Sequence, residues 1–355
     1  MTRKNSDKKN SVGENRRDFL LKDMRIYSLD VLRGIAIAIM LFLDAPPDKI
    51  YSILQHAEWE GMTVPDIAFP MFAFAMGAGA AISMSKRPFT TKRILKRTAA
   101  LFALGLLLNM GAENVRLFGV LQRLALTYAF GIFIVRAIKN DVGIFIAAIM
   151  LLTLSSLGYH IYAPENPFAE AHNISRAIDY IFPGAEHIYT PTHDPEGLYG
   201  AIAGTASVLF GYLAGKTLIR REIFLMVELG LVLLIAGGIW SEVDIIAKKL
   251  WTTPFALINA GGDFLLLALL TKLGTKKFLQ PFDALGRNPL FFFFANNLVL
   301  MFLTMEGGIY FWLYEHTTAE IISVEFGATL FCALWCMLWF PIAELFKRFN
   351  VVIKI

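Results

Sequence analysis

The chain has 355 residues, of which 56% are hydrophobic and only 17% charged, against about half apolar and a quarter charged in soluble domains. A mean hydropathy of +0.55 and apolar runs that recur without an intervening polar stretch exclude a string of soluble domains. A formal charge of +4 is too small and too dispersed for a nucleic-acid binder, so the expected fold class is all-α, a polytopic membrane helix bundle.

In chain order, residues 1–27 carry eight Lys and Arg and no apolar core. They read as a disordered basic cytoplasmic tail, without a cleavable signal peptide. A spanning helix needs about 20 mainly apolar residues. Ten segments approach that: 28–44, 63–85, 94–110, 119–136, 142–161, 197–217, 222–240, 251–271, 288–304 and 324–345. Residues 28–355 are therefore expected to form one transmembrane domain of about ten helices. With the N-terminus inside, 26 Lys and Arg fall in inner segments and six outside: Lys49, Arg116, Arg123, Arg176, Lys248 and Lys249. That is the asymmetry the positive-inside rule demands. Both termini are expected in the cytoplasm, with the polar loops 44–62 and 162–196 on the outer face of the cytoplasmic (inner) membrane. Residues 305–316 are too short to span and aromatic enough to lie in the interface.

Ionisable groups inside apolar spans cost several kcal/mol by the milder scales, so each needs a partner or a function. Asp30 and Arg33 stand i, i+3 on the first helix, either as an ion pair that pins helices or with Arg33 as a phosphate or pantetheine contact. Asp66 opens the second span between Pro65 and Pro70. It is either a helix N-terminal carboxylate or the lip of a cavity at a broken helix. Gln122 and Arg123 open the fourth span from the same side; Arg123 has Asp66, Asp194 or the lipid headgroups as partners. Asn259 and Asp263 in the eighth span, and Asn296 and Asn297 in the ninth, fit interhelical hydrogen bonding. Arg93 and Arg97 are i, i+4 on the third helix, as topogenic charge or as a phosphate clamp. Gly77-Ala78-Gly79 reads as small residues for close helix contact, and Cys332 with Cys336 as packing residues.

No two of the six histidines fall at helical ligand spacing and no cysteine accompanies them, so no metal site is expected. His56 precedes Asp66 by ten residues. A carboxylate that orients an imidazole makes histidine a useful base near neutral pH; the alternative is a solvated loop residue.

Ser-Leu-Asp-Val-Leu-Arg-Gly-Ile-Ala at 28–36 resembles the first-span Asp-x-x-Arg-Gly of the heparan-α-glucosaminide N-acetyltransferase family. The run His-Ala-Glu-Trp-Glu-Gly-Met-Thr-Val-Pro-Asp-Ile-Ala-Phe-Pro at 56–70 resembles that family's His-Ala-x-Trp-x-Gly-x-Thr-x-x-Asp-Leu-x-Phe-Pro signature. Residues 119–124 and 194–200 resemble further motifs in the same order, and 249–252 is a weaker echo, so the resemblance runs from about 28 to 300. It implies acetyl transfer from cytoplasmic acetyl-CoA to the amine of a glucosamine-type sugar on the far side of the membrane. His56 is then the catalytic residue, as general base or acetyl carrier, with Asp66 and Asp44 beside it. Trp59, Gln122, Arg123, Asp194, Glu196 and Asn296 are the expected acceptor contacts, and Asp30, Arg33, Arg93, Arg97 and Arg287 the expected acetyl-CoA contacts. Asn296, Asn297 and Arg123 are candidate oxyanion donors. Two departures stand out: Asp44 replaces a family asparagine, with one extra residue before His56, and Ser-Glu-Val-Asp at 241–244 replaces a Pro-x-Asn-Lys type run.

The chemistry fits the same residues. A donor that cannot cross about 30 Å of hydrocarbon needs polar groups within the spans and basic groups at the inner mouth. Competing readings are a multi-pass transporter for a small sugar or amine and an O-acyltransferase of an outer polysaccharide. Membrane lipid and a second copy of the chain are compatible partners; nucleic acid is not.

Overall fold

The computed structural model describes residues 26–110, 115–305 and 308–353; the basic tail expected over 1–27 lies almost wholly outside them. Thirteen α-helices occur among the described residues. They are α1 (Tyr27–Leu43), α2 (Ala68–Lys86), α3 (Thr91–Asn109), α4 (Val120–Ala137), α5 (Asp141–Tyr162), α6 (Ile174–Ile181), α7 (Gly200–Arg220), α8 (Ile223–Trp240), α9 (Thr253–Leu273), α10 (Gln280–Gly286), α11 (Pro289–Leu303), α12 (Ile309–Thr317) and α13 (Val324–Arg348). The only β pairing among those residues is two isolated bridges.

Each of the ten expected segments is helical to within a few residues. Seven helical stretches are long and apolar enough to cross a bilayer: Val64–Lys86, α4, α5, α7, α8, α9 and α13. The other three expected spans are shorter or more basic. Helix α1 has 17 residues and α11 has 15, so α11 rises about 22 Å, less than a hydrocarbon core of about 30 Å. Helix α3 begins Thr-Lys-Arg-Ile-Leu-Lys-Arg, which belongs in headgroups. The aromatic segment after residue 308 forms the nine-residue α12, too short to span.

Small residues bring the central helices together. A Cβ on Gly77 of α2 would strike the Val208 carbonyl of α7, and one on Gly211 of α7 would strike the Phe74 carbonyl of α2. Gly77 thus does what the sequence suggests, whereas Gly79 makes room for the Arg33 guanidinium. Helices α1 and α10 touch in the same manner through Gly34 and Gly286. Cys332 and Cys336 are buried and free on α13.

The alternating direction of the helices gives the bundle two ends. At one end His56 lies beside Lys248, and Arg116 joins the 194–196 loop. At the other, Arg136 reaches Thr91, Lys216 and Arg220 pair with Asp141, and Asn288 binds the backbone of Val351 and Ile353. Helix α1 starts and α13 finishes at this second end, where Arg33 and Ile353 line one cavity.

Candidate active site between two cavities

The local chemistry of residues 55–67 builds the histidine end. A 3-10 turn at Val64–Ile67 runs into α2, with Pro65 in its first positions and a capping box between Thr63 and Asp66. Asp66 is fully buried. Its Oδ2 accepts from the backbone N–H of Thr63 (3.0 Å) and of Ala57 (3.1 Å) and lies 2.8 Å from the Thr63 hydroxyl, whose single proton it shares with the Gln55 carbonyl at 2.5 Å. Its Oδ1 lies 2.6 Å from His56 Nδ1. One oxygen therefore caps the helix start while the other holds the imidazole, and the side chain lies in the wall of a cavity. With Nδ1 donating to the carboxylate, Nε2 is the nitrogen able to take a proton. The His56 side chain is half exposed, at 50%.

A cavity of about 410 Å³ opens at this end. Its polar wall consists of Asp44, His56, Asp66, Arg116, Tyr189, Glu196, Lys248 and Lys249, and its apolar wall includes Met40, Leu43, Phe69, Val120 and Phe293. Asp44 ends α1 and accepts from Asn297 (3.0 Å) and Asn296 (3.3 Å) of α11. Asn296 in turn accepts from Trp335 Nε1 of α13 (2.9 Å), the interhelical role expected for it. Opposite, Arg116 binds Asp194 and Glu196. Burial would lower the Arg116 guanidinium pKa, but the two carboxylates raise it above the ordinary arginine value. Burial would raise the Glu196 carboxyl, yet Arg116, Lys248 and Arg123 hold it below its usual range.

Four of the nine residues expected in the catalytic and acceptor roles line this cavity: His56, Asp66, Asp44 and Glu196. The other five lie outside its lining. Arg123 is buried, but it takes neither Asp66 nor Asp194 as its hydrogen-bond partner and does not snorkel. It donates to the carbonyls of Pro195 (2.7 Å) and Gly197 (2.8 Å) and covers the Trp251 ring. Asp194 is taken instead by Arg116. Trp59 donates to the Phe168 carbonyl (2.8 Å) and packs edge-on against His193, whose imidazole burial pushes toward the neutral form. Gln122 is buried against Gly105. Behind the 194–198 loop, burial pushes the Asp179 carboxyl up to about 7, opposed by the N–H of Leu198, which it accepts at 2.9 Å.

Sequence reasoning did not single out Arg116, Tyr189, Lys248 or Lys249. One signal was available, because Arg116, Lys248 and Lys249 are three of the six basic residues on the sparsely charged side, and Arg123 lies just behind the wall.

The second cavity, about 290 Å³, opens at the arginine end. Arg33, Arg93, Arg97, Asn288, Phe72, Met76, Leu124 and Phe291 line it. Arg33 pairs with Asp30 at 3.2 Å and donates to the Ala75 carbonyl at 3.3 Å. The ion pair expected of these two residues is present, and Arg33 also faces the cavity. Arg93 lies over Phe89 and Arg97 over Tyr128, rings that hold the guanidinium planes in place. Arg287 is not in this wall; it pairs with Asp283 at 3.2 Å. Among the described residues, no group of three or more His, Cys, Asp or Glu is placed to hold a metal ion.

The two cavities approach each other inside the bundle. Phe69 lines the first and Phe72 the second on α2, Val120 and Leu124 do so on α4, and Phe293 and Phe291 on α11. At 1.5 Å per residue these pairs are separated by only about 3–6 Å along their helices.

Residues 25–175 match the family model described as heparan-alpha-glucosaminide N-acetyltransferase, catalytic. The human heparan-alpha-glucosaminide N-acetyltransferase is 35% identical over 119 residues, covering 29% of this chain and 18% of that protein. The mouse protein of the same name is 33% identical over 120 residues, with the same coverage. The chain thus spans under a fifth of the length of the curated relatives it matches. The family match takes in Arg33, Asp44, His56, Asp66, Arg93, Arg97 and Arg116, and leaves Glu196, Lys248 and Asn296 outside. Over residues 25–175 this apolar helix bundle is similar to the catalytic region of that acetyltransferase family, which supports an acyltransferase.

Proposed function

We propose that the chain is a transmembrane acetyltransferase that moves acetyl from cytoplasmic acetyl-CoA to the amine of a glucosamine-type sugar on the other side. The observation that carries this reading is the pair of cavities entered from opposite ends and separated by about one turn of helix on α2, α4 and α11. A transporter needs one site reachable from both sides in turn; two chemically different mouths suit two different substrates. The arginine end fits the donor, since Arg33, Arg93 and Arg97 offer forked donors to phosphates. The 26 to 6 distribution of Lys and Arg favours the cytoplasm for that end.

At the histidine end the acceptor nitrogen attacks the thioester carbon, the N–C bond forms and the C–S bond breaks. The amine proton passes to His56 Nε2, and the CoA thiolate leaves toward the arginine end. Asp66 holds the ring in the tautomer this requires and stabilises the imidazolium once formed. Asp44, Asp66 and Glu196 make the acceptor cavity suited to an ammonium that must shed its proton. Purified protein should convert acetyl-CoA and glucosamine to an N-acetylated sugar identified by mass spectrometry. Absence of transfer to every amino sugar, or acetate found on oxygen, would count against the reading.

A further inference from the structure

Lys248 approaches His56 from 192 residues further along the chain, and the reaction as written above gives it no task. Its Nζ lies 3.1 Å from His56 Nδ1 and 3.6 Å from Asp66 Oδ1, while Nδ1 is 2.6 Å from that same oxygen. An ammonium only donates, and an Nδ1 that gives its proton to Asp66 also only donates. The ring N–H therefore takes the hydrogen bond to Oδ1, while the Lys248 ammonium is a salt-bridge partner of the same oxygen and stands against the ring nitrogen. The other oxygen of Asp66 already serves Ala57 and Thr63.

This placement is built into the backbone. Gly61 adopts φ +104°, a left-handed conformation that glycine enters at low cost, and its N–H donates to the Ile246 carbonyl at 2.6 Å. On the other side the Ala247 N–H donates to the Thr252 hydroxyl at 3.0 Å. The segment that carries Lys248 is thus braced against the loop that carries His56.

Resting on the acetyltransferase reading, we propose that Lys248 is a positioning residue that pairs ionically with the Asp66 oxygen bonded to His56 and sets a positive charge beside the imidazole. The other charges around the ring make Lys248 the one that counts. Asp66 and Asp44 both favour an imidazolium. Across the cavity Glu196 pairs with Arg116, which Asp194 shares, and Lys249 faces the Trp59 ring, 5.9 Å from its centroid. Without Lys248, two carboxylates act on the ring with no cation adjacent to it.

The test compares wild type, Lys248→Met, Lys248→Gln and Lys248→Arg. At saturating substrates, the acid limb of the acetyl-transfer profile should move up by about one pH unit in the Met and Gln variants, a discounted figure for a half-exposed pair. Their turnover should fall about tenfold below the limb and stay near wild type above it, and Lys248→Arg should restore the profile. An equal loss at every pH overturns the proposal, because a purely structural role or a direct substrate contact would produce it. Nitrogen-15 spectra of labelled histidine, with His56 assigned by its loss in His56→Gln, follow the same titration without turnover. A His56 midpoint identical in wild type and in the Met and Gln variants also overturns the proposal. If the midpoint moves but the wild type transfers no acetyl group, Lys248 keeps this relation to His56 and the functional reading fails instead.

Discussion

Asp66→Asn is the sharpest perturbation of the proposed base, because it retains size and one carbonyl oxygen while changing which atoms can donate. Two backbone N–H donors and the Thr63 hydroxyl converge on Oδ2, so the amide oxygen must take that place and the amide nitrogen must face His56 Nδ1. An amide nitrogen only donates, so Nδ1 becomes the acceptor and the ring proton moves to Nε2. The nitrogen needed to accept the amine proton is then blocked. General-base catalysis contributes about 10²–10⁴, and kcat should fall by that order with little change in acetyl-CoA binding. The bonds to a carboxylate become bonds to a neutral acceptor, which costs about 1–3 kcal/mol of stability after partial relief from burying less charge. Turnover of the purified variant and thermal unfolding in detergent measure the two effects separately. An Asp66→Asn enzyme within threefold of wild-type kcat would refute the tautomer argument, whatever its melting temperature.

His56→Ala should abolish acetyl transfer yet keep the rise in melting temperature that acetyl-CoA gives by mass action; retained activity would move the base to Asp44 or Asp66. Arg93→Ala combined with Arg97→Ala should shrink that acetyl-CoA-dependent rise and raise the KM for acetyl-CoA, and an unchanged shift would remove the phosphate assignment from the second cavity. Asp179 has its carboxyl raised to about 7 by burial, so the folded protein binds one proton more than the unfolded chain between about pH 4 and 7. That contribution is fully present below the unfolded pKa and is lost as pH rises through 7. Asp179→Asn should therefore flatten the fall in melting temperature between pH 5 and 8, and an identical slope in wild type and variant would contradict it.

Much of the helical architecture was legible because apolar runs near 20 residues leave few alternatives, and all ten expected segments are helices. Length alone did not say how many cross, since α11 has too few residues and α3 too many charges at its start. The His56–Asp66 pair was legible as a motif, but its geometry was not. Asp66 caps a helix and holds the His56 ring together because a carboxylate has two oxygens. Arg123 shows the opposite limit: a buried arginine invites a search for an acidic partner, yet its terminal nitrogens donate to the carbonyls of Pro195 and Gly197. Lys248 and Arg116 join the cavity through contacts 192 and 78 residues apart in the chain, which no local pattern encodes. Their trace in the sequence is only that they are basic where basic residues are scarce.

The central claim, transfer between mouths on opposite sides, is tested most directly in sealed inverted membrane vesicles that contain the protein, with glucosamine trapped inside and carbon-13 acetyl-CoA supplied outside. Labelled N-acetylglucosamine should accumulate in the lumen while free CoA appears in the medium, and neither should occur with His56→Ala. Product formed only when acetyl-CoA and glucosamine share one side of the membrane would contradict the claim.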